Sequence, residues 1–154
     1  MVSDSDLDHV AYCGLYCGLC AQRAEVPVRS KALIEILHDE GFDDFYQYDP
    51  EMRESFPPFW NFLQKLASFD CSCRRDFGGP PDCPIRKCAR EKRIIACPLC
   101  ESFPCQHIEK LAKRYPLLIA DGKRMKEIGL ENWIEEQKVR ALRGFRYSLV
   151  RYPH

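Results

Sequence analysis

The sequence predicts a mainly α protein: a small, irregular, metal-stabilised cysteine-rich domain packed on a helical core. Three observations predict it. Apolar residues recur at helical spacing in several separate stretches, and no long stretch alternates apolar with polar. Ten cysteines fall into two blocks, Cys13 to Cys20 and Cys71 to His107. With 154 residues, 45% hydrophobic and 12% aromatic, the chain can bury a modest core and is not a disordered one. Residues 1–154 are therefore read as a single domain.

Residues 1–9, with Asp4, Asp6 and Asp8, read as a flexible acidic leader. Val10-Ala11 leads into the first cysteine block, expected as a tight turn running into a short helix. Cys13, Cys17 and Cys20 stand at i, i+4 and i+7, so one helical face can carry all three. Gly14 and Gly18 weaken a regular helix and suit a close approach of backbone to sulfur. Pro27 marks the first turn of a helix reaching Glu40, with Ala32, Leu33, Ile36 and Leu37 as its apolar stripe and Gly41 as its stop. Residues 42–50 read as an irregular connection. The next helix is expected to start at Pro57-Pro58 and end at Asp70. Its Phe59, Phe62, Leu63 and Leu66 recur at core spacing.

Residues 71–107 read as a cysteine-rich, metal-organised region. Gly78-Gly79-Pro80-Pro81 signals a turn, residues 84–93 a short helix carrying Cys88, and Cys97-Pro98-Leu99-Cys100 a knuckle. The C-terminal helices occupy residues 108–144. Segments 105–114, 117–128 and 131–143 are each helical by spacing, punctuated by Pro116, Gly129 and Gly144. Ile108, Leu111, Ala112, Leu130, Trp133, Ile134 and Val139 are expected to face the core.

Charge narrows the function classes. Lys+Arg and Asp+Glu both number 23, so there is no global electrostatic case for nucleic acid or for an anionic membrane. The basic C-terminal run of Lys138, Arg140, Arg143, Arg146 and Arg151 reads as a solvated helix face. Residues 1–10 show no apolar leader segment, and no stretch approaches the ~18 consecutive apolar residues of a membrane span. The expectation is a cytoplasmic protein with reduced thiols, for which metal explains ten cysteines better than disulfides do. A protein partner is left open.

The spacings are Cys13-x3-Cys17-x2-Cys20, then Cys71-x-Cys73-x9-Cys83-x4-Cys88-x8-Cys97-x2-Cys100-x4-Cys105-x-His107. Two pairs, Cys17/Cys20 and Cys97/Cys100, have the C-x2-C spacing that lets one tight turn aim two sulfurs at one ion. A tetrahedral site needs four ligands, and the first block supplies three. The fourth must come from the second block or from a non-protein group, so the two blocks are expected to meet. Zinc at about two sites is the first reading, because ligation supplies folding free energy to loops that lack a core. An iron–sulfur cluster is the alternative, in a redox or accessory protein.

The triad Cys13, Cys17, Cys20 resembles the cluster motif of radical S-adenosylmethionine enzymes. That resemblance implies an enzyme with an open metal site at the triad. The rest of the chain departs from that family: it is short for the usual barrel, shows no strand–helix alternation, and has Leu19 where an aromatic is common. A second resemblance covers most of the chain. Cys-Gly-Leu-Tyr-Cys-Gly-Leu-Cys (13–20), Cys-Pro-Ile-Arg-Lys-Cys-Ala-Arg-Glu-Lys (83–92), Cys-Pro-Leu-Cys-Glu-Ser-Phe-Pro-Cys (97–105) and Ile-Gly-Leu-Glu-Asn-Trp (128–133) together resemble domain-of-unknown-function family 3795. The resemblance implies zinc bound through these cysteines and no established activity. Cys71-Ser72-Cys73 departs from the family's usual C-x2-C, so Cys71 is left out of the ligand set. That set is Cys13, Cys17, Cys20, Cys73, Cys83, Cys88, Cys97, Cys100 and Cys105.

Other candidates have plainer readings. His107 is expected on a helix surface, and His9, His38 and His154 have no cysteine nearby. A reactive Cys88 beside Arg86 and Lys87 is explained more simply as a ligand. Asp43, Asp44, Asp49 and Glu51 lack an oxygen-ligand loop and read as a solvated face. Phe56, Phe59, Trp60 and Phe62 read mostly as core rather than as a binding groove.

Overall fold

The computed structural model describes residues 1–75 and 78–151. His154 lies outside the described residues. The chain is mainly helical. Its helices are α1 (Asp4–Leu7), α2 (Ala21–Ala24), α3 (Val26–Asp39), α4 (Phe42–Phe45), α5 (Pro50–Ala67), α6 (Pro84–Glu91), α7 (Gln106–Ala112), α8 (Leu118–Ile128), α9 (Leu130–Leu142) and α10 (Ser148–Arg151). Among the described residues, 3₁₀ turns at Cys17–Leu19, Tyr46–Tyr48 and Cys97–Leu99 join them. Among the described residues the β content is one isolated bridge, Val10 to Tyr16. No described helix is long and apolar enough to cross a membrane.

The chain divides into two compact units. Residues 1–21 and 71–154 form the first, residues 22–70 the second. In the first unit, Val10, Tyr16, Leu19, Ala96, Met125, Trp133, Ile134 and Tyr147 form one buried cluster. Ile85, Ala89, Cys97, Ile108 and Leu118 form another, against which Cys13, Cys83 and Cys105 pack. The apolar residues between the first-block cysteines are thus core anchors: Leu19 is fully buried, and Tyr16 meets Trp133 edge-on with ring centres 6.1 Å apart.

Sequence reading places no helix in residues 1–9. The structure forms α1 there, capped by the Ser3 hydroxyl accepting from the Asp6 N–H at 3.1 Å. Asp6 also pairs with Lys138 at 2.8 Å, and the terminal amine with Glu131 at 2.9 Å. The basic C-terminal run is likewise not a plain solvated face. Arg140 donates to Asp121 at 3.1 Å and stacks over Phe145 at 4.5 Å. Arg151 donates to the Tyr115 hydroxyl at 2.8 Å. Val139, expected inward, is 44% exposed, and Gln137 is buried in its place. One turn of register explains this: Trp133, Ile134 and Gln137 share the α9 face that packs inward.

In the second unit, α3 follows its expected bounds, but α5 starts seven residues before Pro57. Asp49 is its N-cap, accepting from the Met52 N–H at 3.0 Å, and Pro50 occupies the first helical position. Pro57 and Pro58 then lie inside the helix on its exposed side. There the backbone carbonyls deprived of a donor can turn to water. Residues 42–48 are not irregular but form α4 and a 3₁₀ turn, entered through Gly41 at φ +75°. Phe56, Leu63 and Ala67 are buried, whereas Phe59 and Phe62, expected in the core, are 44% and 60% exposed.

Candidate functional site

The first cysteine block is a closed loop rather than one helical face. Ala11 N–H donates to Leu15 O at 2.9 Å, Gly14 N–H to Ala11 O at 2.9 Å, and Cys17 N–H to His9 O at 2.6 Å. Gly14 holds φ at +94°, which L side chains rarely adopt, and so turns the chain around Cys13. Cys17 then opens a 3₁₀ turn that Cys20 closes, its N–H reaching Cys17 O at 3.1 Å. Cys97–Cys100 repeats this geometry, with Cys100 N–H on Cys97 O at 2.9 Å. Both C-x2-C pairs are therefore folded as the same tight knuckle, each entered through an extended residue, Tyr16 or Ala96.

The two blocks meet. Cys97 N–H donates to Tyr12 O at 2.7 Å, and a Cβ placed on Gly14 would stand 2.6 Å from the Pro98 ring. Cys73 arrives on a segment tied to residues 7–10. Ser72 is buried and donates to Asp8 at 2.7 Å, and Arg75 reaches the same carboxylate at 2.9 Å. Arg74 donates to Leu7 O, Val10 O and Ile95 O at 2.7–2.8 Å and lies 4.6 Å over the Tyr12 ring. Its planar fork joins three segments that no regular element connects. Cys83 and Cys105 are the N-cap residues of α6 and α7, and Cys88 lies within α6. Arg86 is buried and donates to the carbonyls of Gly78, Pro80 and Pro81 at 2.7–3.0 Å, which holds the turn before Cys83.

Electrostatics reports which sulfurs are neighbours. Burial pushes the Cys97 thiol up to about 12, and the thiols of Cys105, Cys88, Cys100 and Cys83 each add to the rise. Burial also raises Cys13, opposed by a hydrogen bond from the Leu15 backbone and reinforced by Cys73, Cys17 and Cys97. Cys100 is the opposite case. A backbone hydrogen bond at Ser102 lowers it first, and the charge of Lys92, whose Nζ is 3.8 Å from the sulfur, lowers it further. None of the ten cysteines is in a disulfide. Among the described residues no three Cys, His, Asp or Glu side chains are grouped tightly enough to hold an ion as they stand. The donor set nonetheless suits a soft or borderline cation, since thiolates that repel one another lose that penalty on a shared ion.

Of the predicted ligands, Cys13, Cys17 and Cys73 share one neighbourhood, and Cys83, Cys88, Cys97, Cys100 and Cys105 share another, with Cys97 common to both lists. Cys20 stands at the far end of its knuckle. Cys71 lies against Gly78, whose missing Cβ makes room for its sulfur. His107 is exposed on α7. Sequence reading missed Arg74, Arg86 and Tyr147, which position the cysteine loops. Tyr147 accepts from the Tyr16 N–H through its hydroxyl at 2.9 Å and donates its own N–H to Leu19 O at 3.0 Å. Its place among basic residues gave no sign of this.

Residues 9–110 match the family model described as protein of unknown function (DUF3795). The chain belongs to this family. No curated protein and no solved structure matches it. In this DUF3795 chain the matched span contains all ten cysteines and ends within α7, so α8, α9 and α10 lie beyond it.

Proposed function

We propose that this DUF3795 chain is a thiolate metal-binding protein whose cysteines hold zinc at about two sites. The observation that carries the reading is the neighbourhood of Cys97: a buried thiol with four others near enough to bear on its charge. Four thiols that each bear on the charge of a buried fifth, none of them in a disulfide, are costly to ionise with it in the absence of a cation and easier to ionise around one. The matching 3₁₀ knuckles support it, because a tight C-x2-C turn is the usual way to present two sulfurs to one ion. Zinc would be held by Cys97 or Cys100 with Cys83, Cys88 and Cys105, and by Cys13, Cys17 and Cys20 with Cys73. Bound there, zinc would supply folding free energy to loops that no regular element spans.

Anaerobic purification with metal analysis and an absorption spectrum tests this. About two equivalents of zinc and no broad visible band are expected. Iron with acid-labile sulfide would replace zinc by a cluster. A metal-free protein whose fold ignores chelators would overturn metal binding altogether.

A further inference from the structure

Residues 22–70 carry ten Asp and Glu against five Lys and Arg, a net charge of −5 within a neutral chain. In this acidic unit α3, α4 and α5 enclose an open depression of about 430 Å³, lined chiefly by Leu33, Leu37, Phe42, Met52, Phe56 and Phe59. Phe62 continues the α5 row by one turn, and Ile36 flanks the α3 row at 59% exposure. Phe56 is buried beneath, stacked between Tyr46 and Trp60, while the rim stays exposed.

Acidic groups frame this strip. Helical register sets Glu40 one turn beyond Leu37 and Glu51 one turn before Ser55. Both are exposed. The basic groups are fewer and partly occupied: Arg29 pairs with Glu25 at 3.0 Å, and Arg53 donates to Gln47 O at 2.9 Å.

We propose that this groove docks an amphipathic helix of a partner protein whose apolar face is flanked by Lys and Arg. The shape fits a helix, because the walls are two helices, the shorter of them 14 residues, about 21 Å. The charge fits a basic one, because cations beside the apolar face meet Glu40 and Glu51 on a unit of net charge −5. The same carboxylates repel anionic lipid headgroups and repel the identical face of a second copy.

The test uses the full chain and a labelled 18-residue peptide with Leu at i, i+3, i+4 and i+7 and Lys elsewhere, read by fluorescence anisotropy. A twin peptide with Glu for Lys is the control. The Lys peptide should bind, with affinity falling as salt rises from about 50 to about 500 mM. Phe59→Asp and Glu51→Lys should each weaken it at least about tenfold, with circular dichroism and melting unchanged. Leu142→Asp, on α9, should leave binding as it is. Equal binding of the Glu twin, or wild-type affinity in Phe59→Asp, overturns the proposal. Self-association abolished by Phe59→Asp, or sedimentation with phosphatidylserine vesicles, overturns it in favour of those occupants.

Discussion

Gly14 lies flat against Pro98, and this contact joins the two cysteine knuckles. A Cβ on Gly14 would meet the Pro98 Cγ at 2.6 Å and Cδ at 2.9 Å, with the backbone at φ +94°. Both the space and the conformation demand glycine. Gly14→Ala is expected to cost about 2–4 kcal/mol, from overpacking plus the left-handed backbone. Chemical denaturation measures it. A loss below about 0.5 kcal/mol would mean that the loops separate easily and do not act as one piece.

Tyr147 closes the first block from the C-terminal side. Its hydroxyl satisfies the buried Tyr16 N–H at 2.9 Å. Tyr147→Phe keeps the packing in the core and the Tyr147 N–H bond to Leu19 O, and removes that one acceptor. The expected cost is about 1–3 kcal/mol, the penalty of an unpaired buried donor. Hydrogen exchange at the Tyr16 amide should rise alongside. An unchanged melting curve together with unchanged exchange would contradict the clasp.

The helices were legible in the sequence because their signals are local. Gly41, Pro84, Pro116 and Gly129 punctuate apolar periods: α3 ends just before Gly41, α6 opens on Pro84, α7 and α8 flank Pro116, and α8 and α9 flank Gly129. The start of α5 was misread because Pro57-Pro58 looks like a helix beginning. The true signal, Asp49-Pro50, was hidden in a stretch read as loop. Phe59 and Phe62 were misread for another reason. Helical spacing says which residues share a face, and it does not say whether anything covers that face. Ligand arithmetic expects the blocks to meet around a shared ion; the contacts that join them are of another kind. The Cys97 to Tyr12 bond and the three carbonyls on Arg74 join segments more than twenty residues apart, or more than eighty. No sequence period reports such contacts.

Arg74 offers a separate test of those joints. Lysine keeps the charge but has no planar fork to reach three carbonyls and no flat face for the Tyr12 ring. Arg74→Lys should cost about 1–2 kcal/mol by equilibrium unfolding, because the part-buried Leu7 and Val10 carbonyls lose their donor. Full stability in the lysine variant would reduce Arg74 to a charge.

Two exposed ion pairs give opposite pH dependence. Hydrogen bonds from Lys138 and then Ser3 hold the Asp6 carboxyl below its ordinary 3.8. Its contribution is present above the unfolded value and is lost as pH falls through the folded one. The Asp43 carboxylate, 2.6 Å away, raises His38 above its ordinary 6.5. That contribution is complete below 6.5 and is lost as pH rises through the raised value. Asp6→Asn should therefore flatten the acid limb of stability, and His38→Gln the fall in stability as pH rises above 6.5. Superimposable pH profiles for variant and parent would remove both assignments. Both pairs are solvent-exposed, so the changes should shrink in high salt.

Metal removal distinguishes the two thiol neighbourhoods. Under the proposed function, Cys88→Ser deletes a ligand from the group around Cys97 and leaves Cys13, Cys17, Cys20 and Cys73 intact. Zinc content should fall from about two equivalents to about one, while Cys73→Ser removes the other. In each variant the surviving site should still resist a weak chelator, and a strong chelator should lower the melting temperature of the parent, since bound metal contributes to folding. Loss of both equivalents in Cys88→Ser, with the fold retained, would mean one shared cluster. That result would follow if Cys97, which neighbours both groups, bridges them. The variant Cys71→Ser is the internal control: it should keep both equivalents, because Cys71 stands outside the ligand set.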